Sequence, residues 1–301
     1  MKKLQNLVFF IVCVSFMSLD AHESIDATKS KINLENITND RSKDNMEDWL
    51  NDLFGLKPYK ANYILPFGIA NRPYISHLHG AIQYDKKEAE IQVSLKLQVA
   101  QNLFGLHEKY YLAYTQQAFW QIYIDSSPFR ESLYNPEGFV VFPISDRRSL
   151  FQLRSLKVAI AHKSNGQPDT TDIVEFNGFN LSKSINYFYT TLRLQHDTLI
   201  TDLTLQTPFP GSANLSDNPD LMKYLGYTKA KFTYFYNENM FSFMIRGNID
   251  SMKGAVEATY SYPLRKHKSY LYMKLFSGYV ESLIDYNRNI TKFSIGVSFS
   301  R

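Results

Sequence analysis

The sequence predicts an all-β protein, a twelve-stranded antiparallel transmembrane β-barrel of the type found in bacterial outer membranes. Three observations lead there. Apolar and polar residues alternate over many short segments, aromatic residues make up 15% of the chain, and no segment beyond the N-terminus holds eighteen or more apolar residues in a row. A mean hydropathy of −0.30 beside 21 Tyr and 22 Phe suits strands that are apolar on one face only, and transmembrane barrels carry such aromatic girdles. Composition alone fits a soluble β-sandwich as well.

Taken in order, the chain begins with Lys2 and Lys3 before an apolar run from Leu7 to Leu19. Ser18-Leu19-Asp20-Ala21 supplies a cleavage site, so residues 1–21 read as a secretory signal peptide. The one cysteine, Cys13, lies inside that segment, too early for lipidation, and the mature chain is left without a thiol or disulfide. Residues 22–57 are rich in Asn, Asp, Lys and Ser and read as a polar periplasmic extension, with a short helix expected from Met46 to Phe54. The barrel is expected over 58–301.

Ile91 to Val99 alternates without a fault, and a period of two excludes an amphipathic helix. Further strands are expected over Tyr110 to Ile124, Phe139 to Phe142, Leu156 to His162, Ser184 to Leu194 and Leu199 to Gln206. Lys229 to Tyr236, Met240 to Arg246, Ala255 to Tyr262, Ser269 to Tyr279 and Lys292 to Phe299 follow, with at least one strand before Ile91. Asn135-Pro136, Pro208-Phe209-Pro210-Gly211, Asn218-Pro219-Asp220, Gly247-Asn248 and Asp285-Tyr286-Asn287 read as turns between them. About twelve strands close into an up-and-down barrel without edges, as a membrane demands. The net charge of +4 is mild and its basic residues are dispersed, which excludes a nucleic-acid footprint.

One strand ends in chemistry. If Leu156 to Ser164 is extended, Leu156, Val158, Ile160, His162 and Ser164 share a face, apolar first and His/Ser at the tip. A base and a hydroxyl two residues apart suit a serine nucleophile, although a strand ending in a polar loop reads the same way. The remaining histidines, His22, His77, His79, His107, His196 and His267, show no metal-ligand spacing. Glu281 and Asp285 read as lumen or turn residues.

Six blocks in order extend the picture: Tyr114-Thr115-Gln116, Ser126-Ser127-Pro128-Phe129-Arg130-Glu131, His162-Lys163-Ser164-Asn165-Gly166, Ser182-Lys183-Ser184-Ile185-Asn186, Asn218-Pro219-Asp220, and the run from Ser277 to Asn287. With these, the chain from about Asn62 onward resembles the outer-membrane phospholipase A family. The resemblance implies hydrolysis of acyl esters in phospholipids and lysophospholipids, of A1, A2 and lysophospholipase type. A non-enzymatic, porin-like or structural barrel is the alternative.

The resemblance implies a Ser–His–Asn triad, with Ser164 as nucleophile, His162 as general base and Asn186 orienting the imidazole. It further implies an oxyanion donor at the Gly166 amide and calcium held by the Ser182 hydroxyl, the Gln167 carbonyl and the carbonyl of Ser126 of the partner subunit. These are hard oxygen ligands suited to calcium. A site shared in this way makes the active species a homodimer, with Gln116 at the interface. Strand parity agrees, since it puts His162 and Asn186 on the lipid-facing side, where polar groups are costly and invite a functional explanation. Three departures stand out. The gap from Gly166 to Ser182 is long for the family, so Asp169 or Asp172 could intrude as a ligand. Gln167 replaces a common Arg, and Lys163 points to the opposite face.

Overall fold

The computed structural model describes residues 55–77, 83–144, 152–176, 178–265 and 269–301. The expected signal peptide, the helix from Met46 to Phe54, and His22, His79 and His267 lie outside the described residues.

The wall begins with β1 (Lys57–Pro58) and β2 (Asn62–Ala70), which run along the same edge of β3 (Lys87–Gln101) and together make its first strand. There follow β4 (Lys109–Trp120), β5 (Phe129–Pro143), β6 (Leu153–Ser164), β7 (Ser184–His196) and β8 (Leu199–Pro208). After the five-residue helix α1 (Leu221–Leu225) come β9 (Thr228–Tyr236), β10 (Asn239–Asn248), β11 (Lys253–Arg265), β12 (Ser269–Gly278) and β13 (Ile290–Ser300). Every strand pairs antiparallel with its neighbours in sequence, and β13 pairs back onto β2, so the sheet is a closed twelve-stranded meander. Closure leaves the sheet without a free edge strand, as lipid requires. At this seam the backbone of Ile64 comes so near Gly296 that a Cβ there would lie 2.2 Å from the Ile64 carbonyl oxygen, and only glycine fits.

The pleat sorts side chains as the alternation predicts. Val93, Leu112, Ile160, Phe188, Leu205, Phe243 and Leu275 are exposed on the outside, while Glu88, Glu90, Arg130, Lys274 and Lys292 are buried in the lumen. Inside, Arg130 grips Glu88 through two bonds of 3.0 and 3.1 Å, and Lys292 Nζ meets Glu88, Glu90 and Glu281 at 2.9, 3.2 and 2.6 Å. Glu281 and Asp285 are therefore lumen-facing structural groups; Asp285 accepts from Arg130 at 3.2 Å.

Two expected turns are corrected. Asn135-Pro136 lies inside β5, because Pro136 pairs with Tyr114 on the β4 side and no pair with β6 is made at either residue. Proline cannot donate to a ladder. The Asn135 side chain instead donates to the His162 carbonyl at 2.8 Å. Gly247-Asn248 continues β10, and the reversal comes at 249–252, where the Asn248 side chain accepts the Asp250 amide at 2.8 Å.

Short turns at 197–198 and 237–238 mark one end, where the chain also enters at Lys57 and leaves at Ser300. Short turns are periplasmic in such barrels, so the opposite end, with the long segments 165–183 and 209–227, faces outward. That end is closed by a small apolar core of Phe119, Leu133, Ile185, Leu221, Met222, Val280, Leu283 and Tyr286. Glu131 holds this plug by accepting the Leu283 and Ile284 amides at 2.9 and 2.7 Å.

Candidate active site

His162 and Asn186 are directly opposite one another on β6 and β7, and His162 Nδ1 lies 2.8 Å from Asn186 Oδ1. Both face outward: His162 shares its face with the exposed Val158 and Ile160, Asn186 with the exposed Phe188 and Leu192. A carbonyl oxygen accepts only, so Nδ1 carries the proton and Nε2 is left as the base. Ser164 stands one pleat further on the same face of β6, and Lys163 between them is turned inward with Ala161.

Lateral register extends the site across the wall. Gln116, Tyr134, Ser164 and Ser184 form one row over β4 to β7. Gln116 is thus outward, 3.4 Å from the Tyr114 hydroxyl that donates to it. Gly166 turns the chain off β6 with φ 63°, and a Cβ there would lie 2.9 Å from the Tyr134 ring. Gly166→Ala therefore strains the left-handed backbone by about 1–2 kcal/mol and displaces its amide. With that amide as the oxyanion donor the family resemblance implies, the variant is expected to keep its fold and lose about 100-fold in kcat, checked by steady-state kinetics.

Asparagine side chains that sequence reasoning passed over hold these residues in place. β8 reaches only Pro208, opposite Tyr187, so the top of β7 lacks a strand partner on that side. Asn218 replaces it at Ser184, accepting its amide at 2.9 Å and donating to its carbonyl at 3.0 Å. Asn214 does the same for Asn186, at 2.7 and 2.8 Å. On the other side, fully buried Asn165 donates to the Leu181 carbonyl at 2.8 Å and accepts the Lys183 and Gln167 amides at 3.0 and 3.3 Å. Asn165 and Asn218 stand in the quoted blocks, but nothing in their spacing marks them as clamps.

The long segment after Gly166 is tied down by buried Thr170, whose hydroxyl donates to the Phe179 carbonyl at 2.7 Å and accepts the Leu181 amide at 3.1 Å. Phe179 stacks on His77 with ring centroids 3.7 Å apart, which gives that histidine a packing role. Asp169 turns back on its own loop: the amide and hydroxyl of Thr171 donate to it and hold its carboxyl below the usual range. Burial likewise holds the Lys183 ammonium below its usual range, against the pull of Asp217 and Asp169.

The carboxylate that meets Ser182 is Asp217, which accepts the Ser182 hydroxyl at 2.7 Å and the Asn180 amide group at 3.0 Å. Neither Asp169 nor Asp172 is bonded to Ser182. The only hint in the sequence was that Asp217 directly precedes Asn218-Pro219-Asp220. Ser126 is exposed, with a left-handed φ of 61° that is uncommon outside glycine. No group of three or more His, Cys, Asp or Glu among the described residues is placed to hold a metal ion, so a cation here would rest on hydroxyl, carbonyl and single carboxylate oxygens. Ser182 and Asp217 bring such hard oxygens together, and Gln167 is tied through Asn165 to the adjacent Lys183, so the donor chemistry suits calcium.

A closed barrel with an apolar exterior, a plugged lumen and a hydrogen-bonded His–Asn pair on its outer wall defines an outer-membrane barrel whose candidate site lies outside the lumen. The chain belongs to the phospholipase A1 family, whose model matches residues 39–299. It is 33% identical to the phospholipases A1 of Salmonella typhimurium and Escherichia coli K12, over 81% of this chain and 81% of each relative. Among solved structures it resembles an active-site mutant of the outer membrane phospholipase A of Escherichia coli, with TM-score 0.71 and 30% identity over 83% of this chain and 93% of that one. The calcium-bound dimer of the Salmonella typhi outer membrane phospholipase matches with the same TM-score, identity and coverage. The protein is accordingly a multi-pass β-barrel of the bacterial outer membrane.

Proposed function

We propose that this chain is a calcium-dependent outer-membrane phospholipase. It hydrolyses acyl esters of phospholipids and lysophospholipids, at A1 and A2 positions, and acts as a homodimer. The observation that carries the reading is the 2.8 Å His162–Asn186 contact on the lipid-facing wall, beside Ser164 on the same strand. In the Escherichia coli relative, an asparagine-to-alanine change is an active-site mutation.

In this reading Ser164 Oγ attacks the ester carbonyl carbon and its proton passes to His162 Nε2. Asn186 Oδ1 accepts from Nδ1–H and holds the ring in that tautomer. The oxyanion accepts the Gly166 amide. His162 then protonates the departing glycerol oxygen, which leaves as a lysophospholipid, and the acyl group stays on Ser164. Water attacks this ester with His162 again as base, and the fatty acid departs. Calcium, when bound, supplies positive charge near the oxyanion. Ser182, Asp217 and the Gln167 carbonyl would hold it, with the carbonyl of Ser126 of the partner subunit. Asn186 carries no full charge, so it orients His162 without the electrostatic help of an aspartate.

The dimeric, calcium-bound state of the Salmonella typhi relative supports the shared site. Gln116, a polar amide on the outward row beside Ser164, suits an interface in lipid, where it can bond to a partner chain. The porin-like alternative is disfavoured by the apolar plug and the Arg130–Lys292 network, which fill the lumen.

The test is phospholipid hydrolysis by detergent-solubilised protein. Activity is expected with calcium and is expected to vanish on chelation; equal rates with and without chelator contradict the reading. Asp217→Asn is expected to weaken calcium binding by about 10- to 100-fold, read by calorimetry as well as by rate. Crosslinking should show more dimer when calcium and substrate are added together.

A further inference from the structure

The outer wall beside the site carries an apolar groove of about 960 Å³, within the ~300–1,000 Å³ typical of ligand sites. It is made by missing side chains. In register across β7 to β11, Thr190, Leu205, Thr228, Gly247 and Gly254 form one outward row. Ala230 sits in the next row, between Leu203 and Ile245. The small residues form the floor, and the exposed Leu203, Leu205 and Ile245 rise beside it. Below it stand the exposed Phe232 and Phe243. Such a dent in a lipid-facing wall is filled by hydrocarbon.

The groove lies on the same face of β7 as the candidate site. Asn186, Phe188, Thr190 and Leu192 share one face of β7, and the last two line the groove. Thr190 is four residues from Asn186, about 13 Å along a strand. One leaflet of hydrocarbon is about 15 Å deep, half the ~30 Å of a bilayer core, so a chain hanging from a glycerol held at the triad reaches this depth. Phe188, packed at a tilt against Phe209 with ring centroids 4.2 Å apart, stands between triad and groove.

We propose that the groove holds the acyl chain that is not being cut, and so sets a preference for two-chain over one-chain substrates. This rests on the phospholipase reading. A diacyl phospholipid with one ester at Ser164 must lay its other chain along the wall. On the β4–β5 side lies the Gln116 row, which the partner covers in the proposed dimer. On the β7 side the wall is open and dented.

The experiment compares kcat/KM for a diacyl phospholipid and its lysophospholipid, in mixed micelles with calcium, for wild type, Ala230→Phe and Ala258→Phe. Ala258 faces outward between Phe243 and Leu275, outside the groove, and controls for added bulk. Heat-modifiable migration on gels reports folding, and Ala230→Leu serves if Ala230→Phe does not fold. Filling the groove is expected to lower the diacyl-to-lyso ratio about tenfold, with the ratio unmoved in Ala258→Phe. Equal loss on both substrates, no change, or the same shift in Ala258→Phe overturns the groove assignment while leaving the phospholipase reading intact. Absence of hydrolysis of either substrate by wild type defeats that reading, and the groove assignment with it.

Discussion

Ser164→Ala is expected to lower kcat for phospholipid hydrolysis on the order of a millionfold, while the barrel remains folded. Removing a serine nucleophile from a triad costs about that much, because base and orienting group have nothing left to activate. The fold should not notice. Ser164 is at the end of β6, paired with Tyr134 and Ser184 through backbone that alanine reproduces. Calcium binding should persist, since Ser182, Asp217 and Gln167 are untouched. Asn186→Ala should cost less than the roughly 3 × 10⁴-fold seen when a charged third member is removed, because Asn186 orients without charge. Kinetics on the two variants, with unfolding monitored in parallel, checks both.

The second large effect is structural. Lys292→Met is expected to destabilise the barrel by about 3–5 kcal/mol, the cost of breaking a buried ion pair from one side. Lys292 is fully buried and meets three carboxylates. Glu88 would keep Arg130, and Glu90 would keep Lys274 at 2.5 Å, so the orphan is Glu281. Its remaining partner is the Tyr74 hydroxyl at 3.3 Å. Glu281 stands in the loop that carries Leu283 and Ile284 onto Glu131, so the plug behind the candidate site should loosen as well. Adding Glu281→Gln to Lys292→Met should recover much of the loss, because it removes the unpaired charge. Denaturant titrations of the single and double variants measure this; additive losses would contradict the assignment.

The wall was legible wherever alternation is a sufficient signal. Ile91 to Val99 lies inside β3, and the outward parity of His162 and Asn186 follows from counting. β5 was mostly missed because Asn135-Pro136 mimics a turn, and only the pairing of Pro136 with Tyr114 reveals a strand. The plug was illegible for a different reason. Phe119, Leu133, Ile185, Leu221 and Leu283 meet only after closure brings distant segments together, so no local spacing marks them as one cluster. The same holds at the site. Its outward row was countable, whereas Asn165, Asn214 and Asn218 act through backbone groups, and Asp217 reaches Ser182 from another loop. Side-chain-to-backbone clamps leave no pattern in spacing, so Asp169 and Asp172, nearer in sequence, drew the expectation instead.

The most direct measurement is the site at which an alkyl fluorophosphonate, which phosphonylates the activated serine with loss of fluoride, becomes attached. The detergent-solubilised protein would be treated with calcium and mapped by peptide mass spectrometry. One adduct per chain on Ser164, lost on calcium chelation and in His162→Ala, is the predicted result. Adducts on another serine, or labelling of Ser164 that ignores both calcium and His162, would contradict the account.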